Sequence, residues 1–230
     1  MNSLIIGKGE VGKSLYSLLS KVYTCYIQDK DSDYCGDIDV LHICFPYSKD
    51  FVGDVKDYIE IYRPNYTVIH STVPVGTSTQ CGAFYSPIRG KHPDLEKGLK
   101  TFVKYLAPRS TYLKKYFANT GIKVRLADLT NDLEALKLFD TAQYGISIIV
   151  QKLIYRYCKD LALDFNIVYT DANKTYNEGY AVLGLKNVIR PILKHKEGKI
   201  GGHCVIQNCD LISSPITNFI KRQNKEICEF

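Results

Sequence analysis

Two hydrophobic rhythms divide this chain. In its first half the apolar residues come as short unbroken runs: Ser3-Leu-Ile-Ile6, Val22-Tyr-Thr-Cys-Tyr-Ile-Gln-Asp29, Asp39-Val-Leu-His-Ile-Cys-Phe-Pro46, Thr67-Val-Ile-His-Ser-Thr-Val-Pro74 and Ala83-Phe-Tyr-Ser-Pro87. Runs of this length without polar alternation read as strands covered on both faces. Between them Phe51, Val55, Tyr58, Ile59 and Tyr62 recur at helical spacing, and Pro64 closes that helix. Strands alternating with helices predict an α/β fold built on a Rossmann-type doubly wound parallel sheet.

From Asp128 the rhythm lengthens. Leu136, Phe139, Gln143, Ile146, Ile149, Val150, Leu153, Ile154 and Tyr157 repeat at helical spacing, longer than most helices of globular domains. Asn131 or Asp132 is expected to cap this helix, with Glu134 in its first turn. It predicts a spine joining a dinucleotide-binding domain, residues 1–130, to a smaller all-α domain, residues 131–230, and its apolar length suits a homodimer surface. Shorter helices are expected from Val168 to Leu183 and around Asn187-Val-Ile-Arg-Pro191, with a final one from Asp210 to Ile227.

The turn after the first strand, Gly7-Lys-Gly-Glu-Val-Gly12, supplies the first chemistry. Gly7 permits the turn, Gly9 lets the backbone approach a pyrophosphate, and Gly12 lets the helix pack on its strand. The helix that opens with Glu10 and Val11 offers free N–H groups to phosphates. An acid is then required about 20 residues on, to hold the adenosine ribose, and Asp29 stands there. A carboxylate repels a 2′-phosphate, so the expected cofactor is NAD. Ligands of such sheets bind beyond the carboxyl ends of the strands, which places Pro46, Ser71, Thr72 and the segment Ser86-Pro-Ile-Arg89 around the cleft.

Composition removes several function classes. The net charge of +6 is spread along the chain and leaves no nucleic-acid footprint. No apolar run is long enough to span a bilayer and no signal-peptide pattern opens the chain, so a cytoplasmic protein without a membrane partner is expected. Eight cysteines stand singly at positions 25, 35, 44, 81, 158, 204, 209 and 228, without a Cys-x-x-Cys pair, which fits reduced thiols and no metal site. One of them, Cys204, ends the glycine-dense stretch Gly198-Lys-Ile-Gly-Gly-His-Cys204. Glycines there let the backbone turn or approach a ligand, and the thiol is either a reactive centre or a small buried hydrophobe.

Four segments together carry a resemblance: Gly7-Lys-Gly-Glu-Val-Gly12, Ser71-Thr-Val-Pro-Val-Gly-Thr77, Glu134-Ala-Leu-Lys137 and Gly201-Gly-His-Cys204. In this order, over nearly the whole chain, they resemble the UDP-glucose/GDP-mannose dehydrogenase family. The resemblance implies oxidation of an alcohol to a carboxylate in two hydride steps. Cys204 would capture the aldehyde as a thiohemiacetal, Lys137 would stabilise developing oxyanion charge, and Thr72 would position the hydrolytic water. A lysine near the thiol would favour the thiolate. Lys137 and Thr141 are one turn apart and share a helix face.

The chain also departs from that family. Asn208 stands where the family has an aspartate, and an amide is no base. Thr141 replaces an asparagine, and no glutamate occurs among Ser86-Pro-Ile-Arg-Gly-Lys-His92. The sequence stops one helix beyond the cysteine, so a domain gripping UDP or GDP is expected to be missing, and the substrate to be a small anionic alcohol or aldehyde. Arg89, His92, Arg190 and the loop glycine Gly202 are the expected substrate contacts, and His203 a substitute acid or base. The expected activity is that of an NAD-dependent dehydrogenase. The alternatives are an NAD-binding sensor or scaffold without turnover, and a split enzyme completed by a second chain.

Overall fold

Why the first strands form is visible in their burial. Strand β1 (Asn2–Ile6) is almost wholly enclosed, and its alternate side chains enter two different cores, Leu4 and Ile6 one and Ile5 the other. The computed structural model describes residues 1–29, 36–90, 94–202 and 204–227. Helix α1 (Glu10–Leu19) covers the Ile5 side with Leu15, Leu18 and Leu19. The parallel strands β2 (Thr24–Gln28) and β3 (Val40–Ile43) flank β1, with Ile5 paired to Ile27 on one side and His42 on the other. Helix α2 (Phe51–Tyr62) covers the opposite face with Phe51 and Val55, and then β4 (Tyr66–Ile69), α3 (Thr77–Cys81) and β5 (Phe84–Tyr85) follow. Each fully buried aliphatic side chain here contributes about 1.5–3 kcal/mol relative to exposure.

The five strands run parallel in the order β2-β1-β3-β4-β5. With helices on both faces this is a Rossmann-type doubly wound sheet, as the sequence predicts. Four further elements follow in this unit: α4 (Leu95–Thr101), the parallel pair β6 (Lys104–Leu106) and β7 (Val124–Leu126), and α5 (Thr111–Ala118). An antiparallel bridge between Tyr85 and Ala107 ties that pair to β5.

The long helix α6 spans Thr130–Asp160, and the chain divides into two compact units inside it, after Lys137. It starts at Thr130, so Glu134 lies beyond its first turn and not within it as the sequence predicts. In the second unit α6 contributes Ala142 and Ile149 to a separate core with Val205, Cys209 and Ile220. Gly145 makes this close: a Cβ there would lie 2.7 Å from Val205 Cγ1 and 3.2 Å from Ile220 Cδ1. A π-helix (Asn166–Asp171) runs into α7 (Ala172–Val182), and a 3-10 turn (Lys186–Val188) follows.

The expected final helix from Asp210 to Ile227 is in fact two helices, α8 (Val205–Asp210) and α9 (Pro215–Glu226). Proline lacks the N–H that would continue a helix but suits its first turn. Ser214 and Thr217 close a capping box there, so Ser214-Pro215 starts a new helix. No described helix is long and apolar enough to cross a membrane.

Candidate functional site

Strand order reverses between β1 and β3, with β2 on one side of β1 and β3, β4 and β5 on the other. At such a switch point the loops leaving neighbouring strands diverge and leave a crevice beyond their carboxyl ends. The glycine turn sits there, and its three glycines differ sharply in their surroundings. A Cβ on Gly7, whose φ is +112°, would lie 2.8 Å from the backbone of Cys44 and Phe45. One on Gly12 would lie 1.9 Å from the Gly7 carbonyl oxygen. At Gly9 nothing stands within 4 Å. Gly7 and Gly12 are therefore required by the fold, whereas Gly9 faces open space at the N-terminus of α1. That is the place where a dinucleotide pyrophosphate meets the helix end.

Asp29 follows β2, and its Oδ1 accepts a hydrogen bond of 2.7 Å from the Lys8 backbone N–H. The carboxylate thereby sits against the glycine turn at the edge of the crevice. The other strand ends are tied together underneath. Ser71 is buried and its hydroxyl donates to the Phe45 carbonyl, linking the segments after β3 and β4. Pro46 is exposed beyond β3, and Thr72 half-buried beyond Ser71. Glu10 is exposed and Val11 half-buried on the first turn of α1.

Glu134 has a role the sequence reading missed. Its side chain is fully buried, and its carboxylate accepts the N–H groups of Gly76 at 2.6 Å and Ser78 at 2.8 Å. It thus clamps the Ser71–Thr77 segment to α6 instead of pairing with Lys137. One turn later Lys137 Nζ donates to the Ile88 carbonyl at 2.9 Å, fixing the segment after β5. A carboxylate one helical turn before a lysine was the available signal, but spacing alone does not choose between an i,i+3 ion pair and two tertiary contacts. Glu134→Gln leaves one buried N–H facing an amide NH2. It is expected to lower the unfolding free energy by about 2 kcal/mol in urea titrations, with Lys137 unchanged.

Arg89 is half-buried with its guanidinium 5.7 Å from the Phe102 ring centroid. His92 and His203 lie outside the described residues. Arg190 is exposed in the second unit, where its guanidinium stacks 3.6 Å from the Tyr176 ring centroid and Asn177 holds its backbone N–H and carbonyl at 2.9 Å each. From there to the glycine loop the chain has no regular structure and is held by side chains. Buried Lys152 donates to the Lys196 carbonyl and, at 2.8 Å, to the Gly198 carbonyl. Gly198 and Gly202 have φ of +74° and +83°, which Cβ-bearing residues rarely adopt. Cys204 then stands exposed at the N-cap of α8.

The two departures from the family meet each other. Asn208 Nδ2 donates to the Thr141 hydroxyl at 3.0 Å. Asn208 is buried on α8 and Thr141 lies on α6, so the pair also fixes α8 against the spine. Among the described residues no group of three His, Cys, Asp or Glu side chains converges as a metal site.

A parallel sheet with its glycine turn at the reversal point is a Rossmann-type doubly wound architecture. Solved structures with this fold include dehydrogenases of different kinds. One is a UDP-D-ManNAc dehydrogenase from Pyrococcus horikoshii, 14% identical with a TM-score of 0.73, the match covering 99% of this chain and 69% of the other. Another is the 3-hydroxyisobutyrate dehydrogenase of Mycobacterium tuberculosis, 12% identical with a TM-score of 0.72, covering 98% and 92%. A glycerol-3-phosphate dehydrogenase from Coxiella burnetii is more distant, at 14% identity and a TM-score of 0.57. At these identities the likeness is one of fold. No protein-family model and no curated protein sequence matches the chain.

Proposed function

We propose that this protein is an NAD-dependent oxidoreductase that acts on a CH–OH group of a small anionic or sugar-like substrate through Cys204. The observation that carries the cofactor is the open position at Gly9 between two glycines with no room for a side chain, with Asp29 held against the same turn. Those residues fit a dinucleotide: Gly9 and the first turn of α1 would take the pyrophosphate and Asp29 the adenosine ribose. Bound NAD supplies the hydride acceptor.

The chain's own residues supply the rest of this proposal. The substrate alcohol would first lose a hydride to NAD and its hydroxyl proton to solvent to become an aldehyde. The exposed Cys204 thiolate would then add to the aldehyde carbon. The protonated thiohemiacetal would lose a second hydride to a second NAD and its hydroxyl proton to solvent, giving a thioester that water hydrolyses to the carboxylate and the free thiol. Lys137 stabilises the oxyanion and Thr72 orients the water, while Arg89 or Arg190 holds the substrate's anionic group. The fold neighbours support a dehydrogenase by analogy, since several of them are named as dehydrogenases. A homodimer through α6 is part of the same reading. Tyr144 and Tyr157 on that helix are 54% and 62% exposed, and α7 buries none of its residues.

NADH formation by the purified chain, screened over phosphorylated and carboxylated sugars and hydroxy acids, tests this reading. Cys204→Ser is expected to abolish turnover at least about 1,000-fold while leaving NAD binding intact. Unchanged turnover would remove the covalent step. A second reading, a dinucleotide-binding sensor without turnover, draws on Asn208, whose amide is engaged with Thr141 and cannot act as a base. It predicts NAD binding with Cys204 alkylated no faster than an unactivated small-molecule thiol.

A further inference from the structure

Beneath the strand ends a chain of polar side chains runs through the first unit, and the proposed chemistry does not use it. Ser3 Oγ lies 2.8 Å from Tyr116 Oη, which lies 2.9 Å from His42 Nε2. His42 Nδ1 is 3.0 Å from His70 Nε2, and His70 Nδ1 is 2.7 Å from the Ser86 carbonyl and 3.2 Å from Lys104 Nζ. Lys104 Nζ also lies 2.9 Å from the Ser86 carbonyl and 5.4 Å from the Phe117 ring centroid. All of these residues are at most 3% exposed. The groups facing Lys104 are His42 of β3, Cys44 directly after it, His70 after β4, Ser86 after β5, Phe117 of α5 and Lys137 of α6. No carboxylate among the described residues pairs with it.

A buried lysine whose close partners are all neutral is rare, and hydrogen-bond logic explains how this one is accommodated. Two donors cannot face each other, nor two lone pairs, so one proton position fixes the next along the chain. Assigned from the distances, His70 Nδ1–H donates to the Ser86 carbonyl, His42 Nδ1–H to His70 Nε2, Tyr116 O–H to His42 Nε2 and Ser3 O–H to Tyr116. In that order Lys104 Nζ sits beside an N–H, which suits an uncharged amine.

If Lys104 is an ammonium, the order reverses. It donates to His70 Nδ1, His70 Nε2–H donates to His42 Nδ1, His42 Nε2–H to Tyr116 Oη and Tyr116 O–H to Ser3 Oγ. The reversed chain holds one more proton, taken from solvent, and both histidines stay neutral in each order. The Ser86 carbonyl then loses its bond from His70.

We propose that Lys104 is a positioning residue with a proton switch: its two charge states set the two directions of this chain, and with them the ties that hold the strand-end segments of the candidate site. His70 immediately precedes Ser71 and Thr72. Ser86 stands two residues before Ile88, whose carbonyl Lys137 holds. Burial, opposed by Cys44 and reinforced by the charge of Lys137, holds the Lys104 ammonium down to about 7, so the switch falls in the physiological range. An anion arriving beside Lys137 would offset that repulsion and favour the charged order. Naming these segments as a site rests on the dinucleotide reading above; the chain itself does not.

The test is the tautomer of each histidine, read from long-range 15N–1H spectra of the full chain between about pH 6 and about pH 9. His42 and His70 are expected to change together from Nε2–H to Nδ1–H as pH rises, with one midpoint, and the amide signals of Ser71, Thr72 and Ile88 to shift at that midpoint. Lys104→Met is expected to hold both histidines as Nδ1–H throughout. A single tautomer over the whole range, separate midpoints for the two rings, or amides that ignore the transition would overturn the proposal. So would the same transition in Lys104→Met. The wild-type readings decide the matter even if that variant fails to fold, and none of them requires NAD or turnover.

Discussion

Gly12→Ala is expected to destabilise the first unit by about 3 kcal/mol, whereas Gly9→Ala, three residues earlier, is expected to change stability by no more than about 0.5 kcal/mol. The difference follows from space. The Cβ of residue 12 would lie 1.9 Å from a backbone oxygen that cannot move without displacing the turn, and the Cβ of residue 9 would meet nothing within 4 Å. Binding should respond in the opposite sense to stability at Gly9. A methyl group there occupies the space at the open end of α1, so Gly9→Ala is expected to weaken dinucleotide binding at least about tenfold in a protein that still unfolds normally. Urea unfolding curves and a binding titration on both variants check the pair. Equal destabilisation at the two positions would contradict the assignment of Gly9 to a ligand.

The second large effect is a rise in stability with alkaline pH. Lys104 has a folded value of about 7 against an ordinary 10.5, so between those values the unfolded chain binds the extra proton and folding releases it. Stability is therefore gained as pH rises, by about 2 kcal/mol between pH 7 and pH 9. His42 acts in the same sense at lower pH. Burial, assisted by the Lys104 charge, lowers it from 6.5 to about 3, so about 2 kcal/mol is lost on going from pH 8 to pH 5. Urea titrations at pH 5, 7 and 9 measure both windows. In Lys104→Met the alkaline gain should vanish while the loss below pH 6.5 remains. A wild-type protein equally stable at pH 7 and pH 9 would mean that Lys104 is charged in the fold and finds compensation there.

The order of elements was legible because local rules govern it. Unbroken apolar runs gave the buried strands, and the glycine turn of Gly7, Gly9 and Gly12 lies with Asp29 at the reversal of the sheet. What escaped was set by contacts distant in sequence. Glu134 looked like a first-turn acid, yet it binds the N–H groups of Gly76 and Ser78, which no spacing announces. Asn208 and Thr141 looked like two independent losses, and they are partners 67 positions apart. Their simultaneous departure from one family pattern was the signal that they touch. His42 and His70 lay inside runs read simply as strands and Lys104 in a stretch without a reading, because polar residues buried in a sheet become intelligible only once their partners are known. The break at Ser214-Pro215 was readable from proline alone.

The proposed dinucleotide site at the β1–α1 turn is tested most directly by one calorimetric titration. NAD added to the full chain is expected to bind at one site per chain, and Asp29→Ala to weaken that binding by about tenfold through loss of the ribose contact. No heat of binding with either NAD or NADP, in a protein that unfolds cooperatively, would contradict the reading of this crevice as a cofactor site.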